Sequence, residues 1–124
     1  MTSDADRELY GRAVAVAAHA YAPYSKFHVG AVIRARDGRV FEGVNVENAA
    51  YPLGVCAEKS ALTTAVTEGC GPGQIEVLAV TAPPCGGCRQ WLVEFGLDRV
   101  VYASANGDVR TVTPDDLLPD TFEL

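Results

Sequence analysis

Ile75-Glu76-Val77-Leu78-Ala79-Val80, then Pro83-Pro84-Cys85-Gly86-Gly87-Cys88, then Val100-Val101-Tyr102-Ala103: this stretch decides the fold. An apolar run bounded by turn formers reads as a buried strand. The two prolines end it. Cys88 to Phe95 reads as a short helix closed by Gly96. Val100 to Ala103 is the next strand. A helix between two strands is a crossover, and crossovers join parallel neighbours.

Upstream of that unit the chain reads as a helix and a hairpin. Ser3 and Asp6 fit a capping pattern, and Leu9, Ala13, Val16, Ala17 and Ala20 recur at helical spacing. A helix over residues 4–20 follows, stopped by Pro23. Residues 27–33 and 40–46 read as strands around the Asp37-Gly38 turn. Residues 47–55 carry Asn48, Pro52 and Gly54 and read as a loop, and residues 56–68 as a helix. Beyond the crossover, Asn106-Gly107 is a turn, residues 109–112 are a weaker strand, and Thr113-Pro114-Asp115-Asp116 opens a short helix. The expectation is one domain over residues 1–124. It is an α/β fold of three layers, α/β/α, on a mixed five-stranded sheet.

Composition narrows the function. The 124 residues carry a net charge of −6 and no run of Lys and Arg, which argues against nucleic acid as a partner. No apolar stretch approaches the roughly 18 residues of a membrane span. The start, Met1-Thr2-Ser3-Asp4-Ala5-Asp6, lacks the basic and apolar character of a secretory signal. A cytoplasmic protein that acts on small molecules is expected. In that compartment close cysteine pairs serve metal or redox chemistry more often than disulfides.

Cys56, Cys85 and Cys88 each fall at a predicted helix N-terminus, where the helix dipole favours thiolate. Three protein ligands leave a tetrahedral Zn2+ one open position, as in catalytic rather than closed structural sites. Glu58, two residues beyond Cys56, is placed to move protons for a water held there. Two other readings stand beside this one. Cys70 can close a structural zinc site, although a helix of ~20 Å separates it from Cys56. Cys85-Gly86-Gly87-Cys88 between strand and helix also suits a thiol–disulfide oxidoreductase, a reading that leaves Cys56 and Glu58 without a role.

Cys56-Ala57-Glu58 with Pro84-Cys85-Gly86-Gly87-Cys88 resembles the zinc deaminases that act on nucleobases. Tyr24-Ser25-Lys26-Phe27-His28-Val29-Gly30-Ala31, Asn45-Val46-Glu47-Asn48 and the trailing Arg89-Gln90 extend the likeness over nearly the whole chain. The series is similar to the small cytidine deaminases of pyrimidine salvage. That resemblance implies a homotetramer with sites at subunit interfaces and one zinc per subunit. It also implies hydrolysis of cytidine and 2′-deoxycytidine to the uridines and ammonia.

On a strand, Asn45 and Glu47 face one side and can bind a sugar hydroxyl as donor and acceptor. Read alone, they are a polar strand end in a turn. The resemblance assigns them the ribose 3′-hydroxyl and sets Phe27, otherwise a core residue, against the pyrimidine face. It gives the backbone at Ala57 to the base, and Tyr51 and Phe122 to sites shared across subunits. Phe122 serves equally as an anchor for the chain end. His19 and His28 read as surface residues, Trp91 as helix packing, and Asp115, Asp116 and Asp120 as a solvated run. Lys59 stands where many relatives carry Arg, and keeps the charge without the planar fork. Arg89 is a candidate to share its task of balancing the thiolates. A deaminase for another aminopyrimidine, such as blasticidin S, and a non-catalytic zinc domain are the competing functions.

Overall fold

A computed structural model describes residues 2–123. Helix α1 (Asp4–Val16) leads into a 3-10 turn (Ala17–His19), followed by β1 (Gly30–Ala35) and β2 (Val40–Val44). A second 3-10 turn (Tyr51–Leu53) precedes α2 (Ala57–Thr67) and β3 (Ile75–Val80). The chain continues through α3 (Gly86–Phe95), β4 (Arg99–Ala103), β5 (Val109–Val112) and α4 (Pro114–Leu117). The strand order is β2-β1-β3-β4-β5. Among the described strands only β3 and β4 run parallel, across the crossover made by α3; the other neighbouring strands are antiparallel. The expected mixed five-stranded sheet is present.

Alternation along the strands divides the core into two layers. Val32, Val77, Ala79 and Val101 meet Leu9 and Ala13 of α1 on one face. Ala31, Ile33, Leu78, Val80 and Val100 meet Ala61, Leu62 and Ala65 of α2 and Leu92 and Phe95 of α3 on the other. Two glycines set how closely the helices approach. A Cβ on Gly30 would stand 2.1 Å from the carbonyl oxygen of Ala13, and one on Gly43 would stand 2.3 Å from the amide nitrogen of Ala61. Helix α2 therefore lies backbone to backbone on β2, with its first turn fixed there.

An ionic anchor holds α1 at the end of the sheet where β3 begins. The register shifts between Arg34 and Ala35, which pair with Val77 and Ile75 and leave Glu76 outside the ladder. Asp6, only 3% exposed at its side chain, binds Arg34 at 2.9 Å and Arg99 at 2.6 Å. Glu76 completes the group at 2.9 Å from Arg34. The Arg99 hydrogen bond, helped by Arg34, holds the Asp6 carboxyl below the usual range despite burial.

Several boundaries differ from the sequence reading. The helix expected to residue 20 is α-helical only to Val16, because the chain tightens and Tyr21 donates its N–H to the Asn45 carbonyl. The strand expected from residue 27 starts at Gly30. Asn45's side chain occupies the Phe27 carbonyl and the Val29 N–H, so the ladder is interrupted there, although the Val29 carbonyl still accepts the Asn45 backbone N–H at 3.3 Å. The return strand ends at Val44, and Val46 instead makes single bridges to Tyr21 and Val55. Helix α3 starts at Gly86 rather than Cys88, because Cys85 is its cap. Asp116 is more than surface charge. It forms a reciprocal cap with Thr113 at α4.

Candidate active site

The site lies at the C-terminal end of β3, where the N-termini of α2 and α3 converge. Cys56 and Cys85 are the residues that cap these helices. Cys85 Sγ accepts the backbone N–H of Cys88 at 3.5 Å, so the first turn of α3 folds around its own sulfur. Sulfur atoms of Cys56, Cys85 and Cys88 lie within 4.8 Å of one another, and those of Cys56 and Cys85 are 3.9 Å apart. A tetrahedral zinc with bonds of about 2.3 Å has sulfur–sulfur edges of about 3.8 Å, so the donor set fits that ion. Cys70 is not in the cluster: it is buried beyond α2, with its thiol 3.7 Å from the Gln74 carbonyl. His19 and His28 are exposed and also stand apart from it.

The electrostatics match a site built for a cation. Without metal, hydrogen bonds from Cys88 and Cys85 and the nearby Lys59 charge lower the Cys56 thiol to about 6, against the opposing effect of burial. The Cys88 thiol is pushed upward, chiefly by its hydrogen bond to Cys56 and then by burial. The Cys56 and Cys88 thiols thus titrate against each other, and a bound dication favours the thiolate form of its ligands. Glu58 is 4% exposed, and burial raises its carboxyl from 4.5 to about 7. Its own backbone N–H, the Cys88 thiol and Lys59 counter part of that rise.

Glu58, Cys56 and Cys85 open into a hollow of about 200 Å³ that Phe27, Val29, Asn45, Ala57, Ala82 and Pro83 also line. A second hollow of about 260 Å³ adjoins it, sharing Asn45 and Cys56 and adding Ser25, Glu47 and Tyr51. Nine of the ten expected site residues are therefore brought together: Phe27, Asn45, Glu47, Tyr51, Cys56, Ala57, Glu58, Cys85 directly, and Cys88 through its sulfur. Phe122 is not among them within its own chain. It lies on the outer side of α3 with Gln90, Val93 and Glu94. Phe27 is no core residue: it is 60% exposed at the mouth.

Residues 3–104 match the family model described as "Cytidine and deoxycytidylate deaminase zinc-binding region". The chain belongs to this deaminase family. A cytidine deaminase of Halalkalibacterium halodurans is 43% identical over 111 residues, 83% of each chain. One of Mycobacterium tuberculosis is 41% identical over 122 residues, covering 94% of this chain and 88% of its own. The crystal structure of a Burkholderia pseudomallei cytidine deaminase superposes with a TM-score of 0.87 at 44% identity, covering 94% of this chain and 98% of that one. The family membership and the sulfur geometry together make this a zinc site in a hydrolytic deaminase. They also set aside the oxidoreductase and closed-zinc readings.

Two basic residues flank the ligands. Lys59 Nζ lies 6.0 Å from the Trp91 ring centre, above the bare Cα of Gly87, where a Cβ would come within 3.7 Å of it. From there its charge reaches Cys56 and Glu58. Trp91 is thus a platform for the ammonium as well as packing. Arg89 is spent elsewhere than expected. Its guanidinium donates to the carbonyls of Pro84 at 2.9 Å and Leu117 at 3.0 Å, so it ties the cysteine loop to the end of α4. Sequence reasoning gave no task to Ser25, although it stands in the Tyr24–Phe27 segment and lines the second hollow.

Proposed function

We propose that the chain hydrolyses cytidine and 2′-deoxycytidine to uridine and 2′-deoxyuridine, releasing ammonia. The observation that carries this reading is a buried carboxyl, Glu58, opening into the same small hollow as a cluster of three thiol ligands. Zinc, when bound by Cys56, Cys85 and Cys88, supplies a Lewis acid that acidifies water. Glu58 is the proton carrier. In the metal-free chain burial raises this carboxyl to about 7, and its place in the hollow beside the three thiols lets it accept and release a proton there. Glu58 takes one proton from water and delivers it to N3 as oxygen adds at C4, then takes the proton of the new C4 hydroxyl and passes it to the amine, so that the C4–N bond breaks, ammonia leaves and the C4 carbonyl forms.

The remaining residues orient the nucleoside. Phe27 faces the pyrimidine, the backbone at Ala57 bonds the base, and Asn45 and Glu47 take the 3′-hydroxyl in the adjoining hollow. Tyr51 and Phe122 complete sites across subunits of a homotetramer. Supporting that assembly, Tyr21, Tyr24, Tyr51 and Leu53 are 46–70% exposed around the mouth, an apolar surface suited to burial. Residues 1–124 act as one domain. Three thiol ligands are kept reduced in cytoplasm, where the reaction serves pyrimidine salvage.

The test is direct. Zinc-loaded protein is mixed in parallel with cytidine, 2′-deoxycytidine, blasticidin S and cytosine, and absorbance and ammonia are followed. Deamination of the two nucleosides is expected, and Glu58→Gln should keep zinc while losing at least ~10²-fold in turnover. No ammonia from either nucleoside, or near-normal turnover by Glu58→Gln, refutes the reading.

A further inference from the structure

In the single chain Phe27 stands at the mouth and is 60% exposed, so packing within its own chain does little to fix its direction. Its backbone does that instead. The Phe27 N–H donates to Ser25 Oγ at 3.0 Å, and its carbonyl accepts from Asn45 Nδ2 at 2.8 Å. Between them the chain turns through Lys26 in the left-handed region, φ 62°, an uncommon conformation for a non-glycine residue. Ser25 Oγ in turn donates to the Glu47 carboxylate. The same carboxylate accepts the N–H groups of Tyr24 at 3.0 Å and Ser25 at 3.1 Å. These donors keep Glu47 ionised, with its carboxyl held below the usual range chiefly by Ser25.

Glu47 thus has three of its roughly four acceptor positions occupied by the loop that carries Phe27. One acceptor position remains for a sugar hydroxyl. Ser25 is the only residue in this network that touches both ends, the carboxylate in one hollow and the peptide of the aromatic residue in the other.

We propose that Ser25 is a positioning residue that couples sugar recognition at Glu47 to base recognition at Phe27. The inference rests on the nucleoside-site reading above. A hydroxyl bound by Glu47 stiffens Ser25, and Ser25 fixes the peptide that aims the ring. Loss of the Ser25 hydroxyl frees Phe27 and also removes a donor from Glu47.

The experiment compares the wild-type enzyme with Ser25→Ala and Ser25→Thr, each on cytidine and on 3′-deoxycytidine. Loss of one charge-assisted hydrogen bond scales to about tenfold in kcat/KM. Wild type should prefer cytidine by about that factor. Ser25→Ala should lose about tenfold on cytidine, mostly in KM, but only about twofold on 3′-deoxycytidine, because the coupled contact is already absent there. Zinc content and melting temperature should stay at wild-type values, and Ser25→Thr should recover most of the loss. Equal losses on both substrates, or no loss, overturn the coupling while leaving the deaminase reading intact. A wild type indifferent to the 3′-hydroxyl also overturns it. A wild type inactive on cytidine removes the underlying function and the coupling together.

Discussion

Replacing Glu58 with Gln should make the metal-free protein more stable at alkaline pH, even as it removes the proposed proton carrier. The carboxyl is buried, and its pKa in the folded chain rises from 4.5 to about 7. The folded state therefore holds this proton more tightly than the unfolded state does. Its stabilising effect is complete below pH 4.5 and is lost as pH rises through about 7. The span between those values corresponds to about 3 kcal/mol at ~1.4 kcal/mol per pH unit. A glutamine of the same shape does not ionise, so it escapes that loss. Denaturant unfolding of both metal-free chains, at one protein concentration and several pH values, measures the difference. Near pH 5 the two should agree within about 1 kcal/mol, and by pH 8 the variant should lead by about 3 kcal/mol. Cys56 and Cys88 titrate together with Glu58, so the gap reads the effect of the carboxyl along with its influence on those thiols. A gap that stays constant with pH, or that narrows as pH rises, refutes the argument that burial governs Glu58.

Two further outcomes test the surroundings of the site. Gly43→Ala places a methyl 2.3 Å from the Ala61 nitrogen and 2.7 Å from the Ala57 carbonyl, so α2 must shift at the turn carrying Glu58. A destabilisation of about 1–3 kcal/mol in denaturant melts is expected, with reduced zinc content, and wild-type values for both would refute the fixed approach of α2. Lys59→Ala removes the ammonium above Gly87, and a chelator competition should then strip zinc several-fold faster. Unchanged zinc release would show that the thiolates need no help from this charge.

The parts of the site that the sequence made readable are local. Cys56, Cys85 and Cys88 announce themselves because each lies within a residue or two of a helix start, and capping follows from short-range chemistry. The βαβ crossover is equally local, since a strand, two prolines and a helix lie in one stretch. What escaped reading is made by side chains that reach backbone groups far along the chain. Asn45 binds the peptides on either side of His28, seventeen residues back, and so displaces the start of β1. The Leu117 carbonyl takes Arg89 away from the thiolates, and nothing near Arg89 in sequence signals it. Close contact at Gly30 and Gly43 also depends on which helix crosses which strand, which residue spacing does not encode.

The ionic anchor of α1 has a thermal consequence. Asp6 is nearly dry between two arginines, so the cost of stripping its hydration weighs on the contact at room temperature. Hydration of charge becomes less favourable on warming, while the gain from burying apolar surface levels off. The grip of Arg34 and Arg99 on the first helix therefore strengthens, relative to the apolar contacts of Leu9 and Ala13 beside it, as the protein is heated.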